Sequence, residues 1–318
     1  MPPTPRWTDW EQAWEQALYG PAGFVHAAGP PEAHFRTSVH VGTVLAEAML
    51  ELLRRTDHAL QRPARLDVVD LGAGGGQLLA AVWELAEPDL RRRLRPVAVD
   101  LRAAPPGWAL PWRSTLPATI TGLVVAHEWL DALACPVVQR HGAVVHRLAV
   151  APDGQERLGP PVAAPELAWL RRWWPLADGE RAEVGLPRER AWGQVRRRLR
   201  AGAALAVDYG HVRGTRPAAG TLSAYRAGRQ VRPVPDGTCD LTAHVALDAV
   251  AALAPGSTTT QAEALGSLAG GTLAGGTPPG QPWLQQAVRA GQLAELTDPD
   301  GLGGFGWVLH PTHVDLRL

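Results

Sequence analysis

The sequence predicts an α/β fold built on an open, largely parallel sheet, and three observations carry the prediction. An apolar run, Leu66–Leu71, passes through glycines at 72, 74, 75 and 76 into a helical stretch that begins at Gln77. A second apolar run, RPVAVDL at 95–101, places an acid, Asp100, near its end. Further apolar runs at 119–126 and 202–210 alternate with helix-period segments, the pattern of strand–helix–strand units.

Taken in order, residues 9–19 read as a short helix with Asp9 as N-cap and Gly20-Pro21 as its stop. An amphipathic helix runs from Val39 to about Leu60, with Val41, Val44, Leu45, Ala48, Leu52 and Leu53 on one side. Together they suggest an N-terminal helical layer over residues 1–60, ahead of an α/β domain over 61–318. The glycine loop leads into a helix ending near Ala86, and the proline-rich stretch after Asp100 marks its strand poorly. The strand at 119–126 ends in HEWLDALACP, where a helix is expected over Trp129–Ala134. Runs at 135–140 and 143–150 read as a hairpin around His141-Gly142. Residues 151–187, rich in Pro, Gly and Trp, read as an insertion with a helical piece near Glu166–Trp174. A basic helix over 187–200 precedes the strand 202–210, and its Arg196–Arg198 run is a solvated face. The stretch 239–253 has helix periodicity, with Asp240 or Thr242 as cap, and would put His244 and Asp248 on one helix face. A glycine-rich loop (266–280), a helix (282–294) and a final strand (304–309) close the chain.

The glycine spacing narrows the ligand. A strand that enters a helix through glycines presents free backbone N–H groups and no Cβ atoms, which suits a close-lying cofactor as well as a plain tight turn. The dinucleotide fingerprint G-x-G-x-x-G, begun at Gly72, needs glycine where Gln77 stands. The pattern present is D-x-G-x-G-x-G, from Asp70 through Gly72, Gly74 and Gly76.

Composition sets wider bounds. The 31 basic residues, all arginine, balance 31 acidic ones, so neither nucleic acid nor an anionic membrane is the expected partner. Two cysteines make no disulfide framework, no apolar run reaches 18 residues, and no signal core opens the sequence. A cytoplasmic protein is expected.

Several stretches together resemble one family of class I S-adenosylmethionine-dependent methyltransferases, that of MidA and the mitochondrial complex I assembly methyltransferase. They are YGPAGF (19–24), HFRTS (34–38), DLGAGGGQL (70–78), AHEWLDALACP (126–136), GAALAVDYGH (202–211), GTLSAYR (220–226) and DGTCDLTAHV (236–245), in the family's order. The resemblance implies a Rossmann-like class I methyltransferase sheet with inserted segments, S-adenosyl-L-methionine as cofactor, and a protein arginine as acceptor, with a respiratory complex subunit as one candidate. The chain departs from the pattern at Gly75, where the family carries arginine, at Asp70 in place of glutamate, at Ala33-His34, at Gly228, and over 102–115. A small-molecule methyltransferase on the same fold, or a non-catalytic assembly protein, are the competing readings.

Asp70, Gly72, Gly74 and Gly76 would hold the methionine part of the cofactor, and Asp100 would accept both ribose hydroxyls. Glu128 and Asp131, three apart, would share a helix face beyond a strand end and act as catalytic carboxylates toward a guanidinium. Glu128 alternatively binds the cofactor's amino group, and Asp131 alternatively caps the helix start. Asp208 and Tyr209 end the next strand and join the catalytic set. His127 is assigned to the cofactor and His244 to the substrate, while no histidine has metal-ligand spacing. From the resemblance alone, Thr37 and Ser38 contact the cofactor and Phe35 the substrate.

Overall fold

The computed structural model describes residues 6–27, 38–268 and 283–318. The candidates Phe35 and Thr37, and most of the glycine-rich loop, lie outside them. The chain divides into two compact units. One comprises 1–35, 130–192 and 210–253, the other 36–129, 193–209 and 254–318. These units run across a boundary at residue 60: the helix Trp10–Tyr19 lies in the first and the helix Val44–Ala59 in the second.

The second unit holds a seven-stranded sheet. Its strands are β1 (Leu66–Leu71), β2 (Leu94–Val99), β3 (Trp112–Arg113), β4 (Ile120–His127), β5 (Leu199–Asp208), β6 (Ser257–Thr260) and β7 (Gly306–Thr312). Across the sheet the order is β3-β2-β1-β4-β5-β7-β6. The first five strands run parallel, and β7 lies antiparallel between β5 and β6. Both faces of β1, β4 and β5 are buried, which accounts for their near-continuous apolar composition. The helices Val44–Ala59, Gln77–Leu85 and Gln261–Leu268 pack with the sheet around Met49, Leu52, Leu79, Leu123, Leu205 and Trp307.

The order fixes where a ligand binds. The chain builds outward from β1 to β3, then crosses to β4 on the other side of β1. A sheet of this kind binds at the carboxyl ends of the strands where the order reverses, here β1 and β4.

The first unit contains a five-stranded antiparallel sheet made from Thr8–Asp9, Val137–His141, Val144–Val150, Glu156–Pro161 and Arg181–Glu183. Residues 151–187 thus supply two of its strands and the helix Ala164–Trp173. The helix Trp10–Tyr19 starts at Asp9, whose carboxylate accepts the Glu11 N–H at 3.0 Å, as the capping pattern requires.

Three expected elements differ. No helix forms over 129–134; these residues make a turn, so Glu128 and Asp131 do not share a helix face. Glu128 takes the left-handed φ of +50°, which stops any helix from starting there, and Pro136 keeps Cys135 out of helical conformation at the other end. The stretch 239–253 is mostly not helical. Asp240–Thr242 pairs with Ser223–Tyr225 and Val245–Ala246 with Gly210–His211, leaving only Leu247–Ala251 as helix. Asp240 and Thr242 are strand residues rather than caps, and His244 and Asp248 share no helix face. The long helix begins at Val44, not Val39, behind a 3₁₀ turn at Ser38–His40.

Candidate cofactor site

The glycine loop is hooked onto the end of β2. The N–H groups of Gly72 and Ala73 donate to the Val99 carbonyl at 2.8 and 3.2 Å, and the Gly74 N–H donates to Asp100 Oδ2 at 2.8 Å. The other oxygen of Asp100 accepts the Arg102 N–H at 2.9 Å. Gly72, Gly74 and Gly76 have φ of +74°, +58° and +79°, which only glycine adopts without strain, and Gly76 is the N-cap of the helix Gln77–Leu85. Gly75 has no such φ, and a Cβ there would first meet the end of the Gln77 side-chain amide. The arginine of the family motif is therefore absent for no backbone reason.

Two tryptophans flank the loop. A Cβ on Gly72 would lie 2.7 Å from Trp129 Cδ1, and one on Gly76 would overlap the six-membered ring edge of Trp108. Neither tryptophan stands out in the sequence, because each meets the loop through tertiary packing.

Asp70 lies beneath the loop, buried among Met49, Leu78, Leu79 and Val82. Burial pushes its carboxyl up to about 7, the nearby Asp100 charge adds to that, and a hydrogen bond from the Leu79 N–H opposes it. Asp70 therefore holds the helix N-terminus.

The ends of β4 and β5 form the adjoining side. Their register sets His127 beside Val207, and the Glu128 N–H donates to the Val207 carbonyl at 2.8 Å. That bond helps hold Glu128 at its left-handed φ, a strain that persists only when neighbours enforce it. His127 Nδ1 lies 3.4 Å from Glu128 Oε1. Burial, reinforced by His40, lowers the His127 pKa to about 4, so the imidazole is neutral at pH 7 and the contact is not an ion pair. Asp208 is buried, and the Tyr209 ring packs 5.5 Å from that of Phe305. Ser38 is buried with Gln261, whose Nε2 donates to its hydroxyl at 3.3 Å and to the Leu296 carbonyl at 3.1 Å.

Asp131 and His244 belong to the other unit; Asp131 is buried in a polar network that the exposed His244 joins through its main chain alone. Asp131 Oδ2 accepts the Thr242 hydroxyl at 2.7 Å. Arg188, 2% exposed, donates to the carbonyls of Asp131, Leu133 and His244 at 2.7, 3.2 and 2.8 Å. The His244 N–H donates to Thr221 Oγ1, which in turn donates to the buried carboxylate of Glu183 at 2.8 Å. Arg188 and Glu183 thus tie together three of the motif segments. Among the described residues no group of His, Cys, Asp or Glu is disposed to hold a metal ion, and no helix is long and apolar enough to cross a membrane.

The comparisons with known proteins identify the chain's family. Residues 44–265 match the model of the family described as "Putative S-adenosyl-L-methionine-dependent methyltransferase". The chain belongs to this family. No curated protein matches it. Two solved structures from Burkholderia thailandensis share the fold. One is a COG1565 superfamily member bound to S-adenosyl-homocysteine, with TM-score 0.83 at 22% identity. The other is a native COG1565 superfamily structure, with TM-score 0.82 at 23% identity. Each alignment covers 98% of this chain and 89% of the other. The sheet is accordingly that of a class I methyltransferase, and the protein is an S-adenosyl-L-methionine-dependent methyltransferase.

The loop fits that cofactor. Three positive-φ glycines keep Cβ atoms away from its backbone, and Asp100 stands at the end of β2 with a carboxylate that can accept ribose hydroxyls. A sulfonium donor has no pyrophosphate, so Gln77 in place of a third fingerprint glycine is consistent with the fit.

Proposed function

We propose that this methyltransferase acts on a protein side chain, arginine, in the manner of the MidA family that its motifs resemble, and that it works in the cytoplasm. The observation that carries the reading is Glu128. It is a carboxylate on a strained, hydrogen-bonded backbone just past β4, the strand beside β1 and its glycine loop.

Bound S-adenosyl-L-methionine supplies an electrophilic methyl on a positive sulfur. The acceptor must then offer a nitrogen lone pair, and an arginine side chain is always protonated in water. A carboxylate against the guanidinium draws its positive charge toward the other nitrogens and takes the departing proton after transfer. In this reading Glu128 performs that task, and the neutral His127 beside it sets no positive charge against the carboxylate. The glycine loop and Asp100 hold the donor, with Asp70 anchoring the helix beneath them. Asp208 and Tyr209 line the neighbouring strand end. Asp131 serves as a strut through its carboxylate on Thr242 and its carbonyl on Arg188, and the segment at His244 is tied in through its main chain.

The test is transfer of a labelled methyl group from S-adenosylmethionine into a lysate of the source organism, with hydrolysis and mass spectrometry of the product. Methylarginine in a protein band, lost with Glu128→Gln, is expected. Label recovered only in small molecules would overturn the protein acceptor. Undiminished labelling by Glu128→Gln would remove that residue's role.

A further inference from the structure

The amino ends of the parallel strands, opposite the glycine loop, carry a row of arginines drawn from separate parts of the chain. Arg65 immediately precedes β1, and Arg95 is the second residue of β2, paired with Asp67. Arg95 Nη1 donates to the Leu94 and Arg92 carbonyls at 2.8 and 3.4 Å, which turns its guanidinium back toward the start of the strand. Arg198 Nη1 donates to the Ala118 carbonyl at 3.4 Å, so its guanidinium stands just ahead of β4. On β5, Leu199 pairs with Ile120 and Ala201 with Thr121, so Arg200 between them is an extra residue in the ladder, a bulge. The row thus crosses β2, β1, β4 and β5, neighbours in the sheet. At about 4.8 Å per strand it spans about 14 Å.

All four side chains are exposed, and among the described residues none of them pairs with a carboxylate. The acids of this edge are already engaged. Asp57 and Asp89 pair with Arg93 and Arg92, and Asp67 accepts the Thr121 N–H at 2.7 Å. A cation at a helix C-terminus is favoured by the dipole, which accounts for Arg198 at the end of the helix Leu186–Arg198. That reason does not extend to Arg65, Arg95 and Arg200, which stand on strands or their approach. Like charges in a row repel one another, and an anionic partner reverses the sign of that contribution.

We propose that this row docks an acidic segment of a partner protein. Guanidinium forks take carboxylates in bidentate pairs, and an extended acidic stretch presents a carboxylate on one face about every 7 Å. Four or five such residues cover the row. The four positions include no aromatic residue on which bases could stack. With 31 basic and 31 acidic residues, the chain also has no net field to draw in a phosphate backbone. Protein is therefore the favoured polyanion. The six residues of β1 separate the row from the glycine loop by about 20 Å, so the proposal is independent of how the methyl group is transferred and to what.

The test is fluorescence anisotropy with two labelled probes, a peptide of ten glutamates and a ten-nucleotide uridine RNA, each titrated with the full chain at low and at physiological salt. The wild type should bind the peptide more tightly than the RNA, and added salt should weaken the complex. Changing Arg65, Arg95, Arg198 and Arg200 together to glutamine should weaken peptide binding by about tenfold or more, the combined scale of several exposed charge pairs. The pair Arg65→Gln and Arg200→Gln, which breaks no hydrogen bond described above, should show a smaller loss in the same direction. A control set, Arg171, Arg172, Arg213 and Arg229 changed to glutamine, removes the same charge from exposed positions elsewhere and should bind as the wild type does. Thermal melts confirm that each variant is folded. No peptide binding by the wild type, an equal loss in the control set, or tighter binding of the RNA would each overturn the proposal.

Discussion

The Gly74 N–H donates to Asp100 Oδ2, so the loop after β1 and the acid after β2 form one hydrogen-bonded piece before any ligand arrives. The sequence separates these residues by 26 positions, and the parallel pairing of Leu71 with Val99 brings them together. A carboxylate that already fixes the loop should act on both loop and ligand. Asp100→Asn keeps the shape but turns a charged acceptor into an amide. It should weaken S-adenosylhomocysteine binding by about tenfold or more, the scale of one charge-assisted hydrogen bond. Calorimetry checks this, and an unchanged affinity would remove Asp100 from the site.

Gly76 is constrained twice, by its φ of +79° and by the Trp108 ring. Gly76→Ala should cost about 1–2 kcal/mol from the left-handed backbone alone, with a further cost from displacing the ring. In a Trp108→Ala background the overlap is gone but the backbone strain remains, so Gly76→Ala should cost only the backbone part there. Denaturant melts of the two single variants and the double variant measure the coupling. Gly75→Arg, at a position without positive φ, should fold with wild-type stability.

The parts of the candidate site legible in the sequence are those whose signal is local. The β1–glycine–helix handover, Asp100 and the His127-Glu128 strand end all lie where an alternating or apolar run meets a polar residue. The misread parts are set by pairing across long distances. Residues 239–253 have helix periodicity. Even so, Val245–Ala246 is claimed by the strand at Gly210–His211 and Asp240–Thr242 by Ser223–Tyr225, and pairing overrides propensity. Trp108, Trp129, Arg188 and Glu183 are hidden for the same reason. Each looks like an ordinary aromatic or surface charge until the fold brings its partners to it.

Arg188 illustrates how much such a residue can hold. Its three carbonyl partners sit on the 131–133 turn and on His244, and its guanidinium also lies 5.8 Å from the Trp14 ring. Arg188→Met fills the volume but strands those carbonyls, and should destabilise the protein by about 3 kcal/mol or more. Arg188→Lys should rescue little, because one ammonium cannot span the three acceptors that the planar fork reaches. Chemical unfolding of the two variants decides the matter; wild-type stability for Arg188→Lys would contradict the clamp.

Asp70 yields the pH dependence. Its carboxyl is raised in the folded protein from an ordinary value of 3.8 to about 7 by burial, so the folded state holds a proton that the unfolded state has released. Between about pH 4 and pH 7 the folded state therefore binds more protons, and this group's contribution to stability falls as pH rises, by at most about 1.4 kcal/mol per pH unit. Above about pH 7 both states are ionised and the contribution levels off. Asp70→Asn removes this titration while keeping a group that can accept the Leu79 N–H. The stability of the variant relative to the wild type should climb from about pH 4 to about pH 7 and then stay flat. Thermal melts across that range measure the difference, and a difference independent of pH would show that Asp70 is ionised throughout.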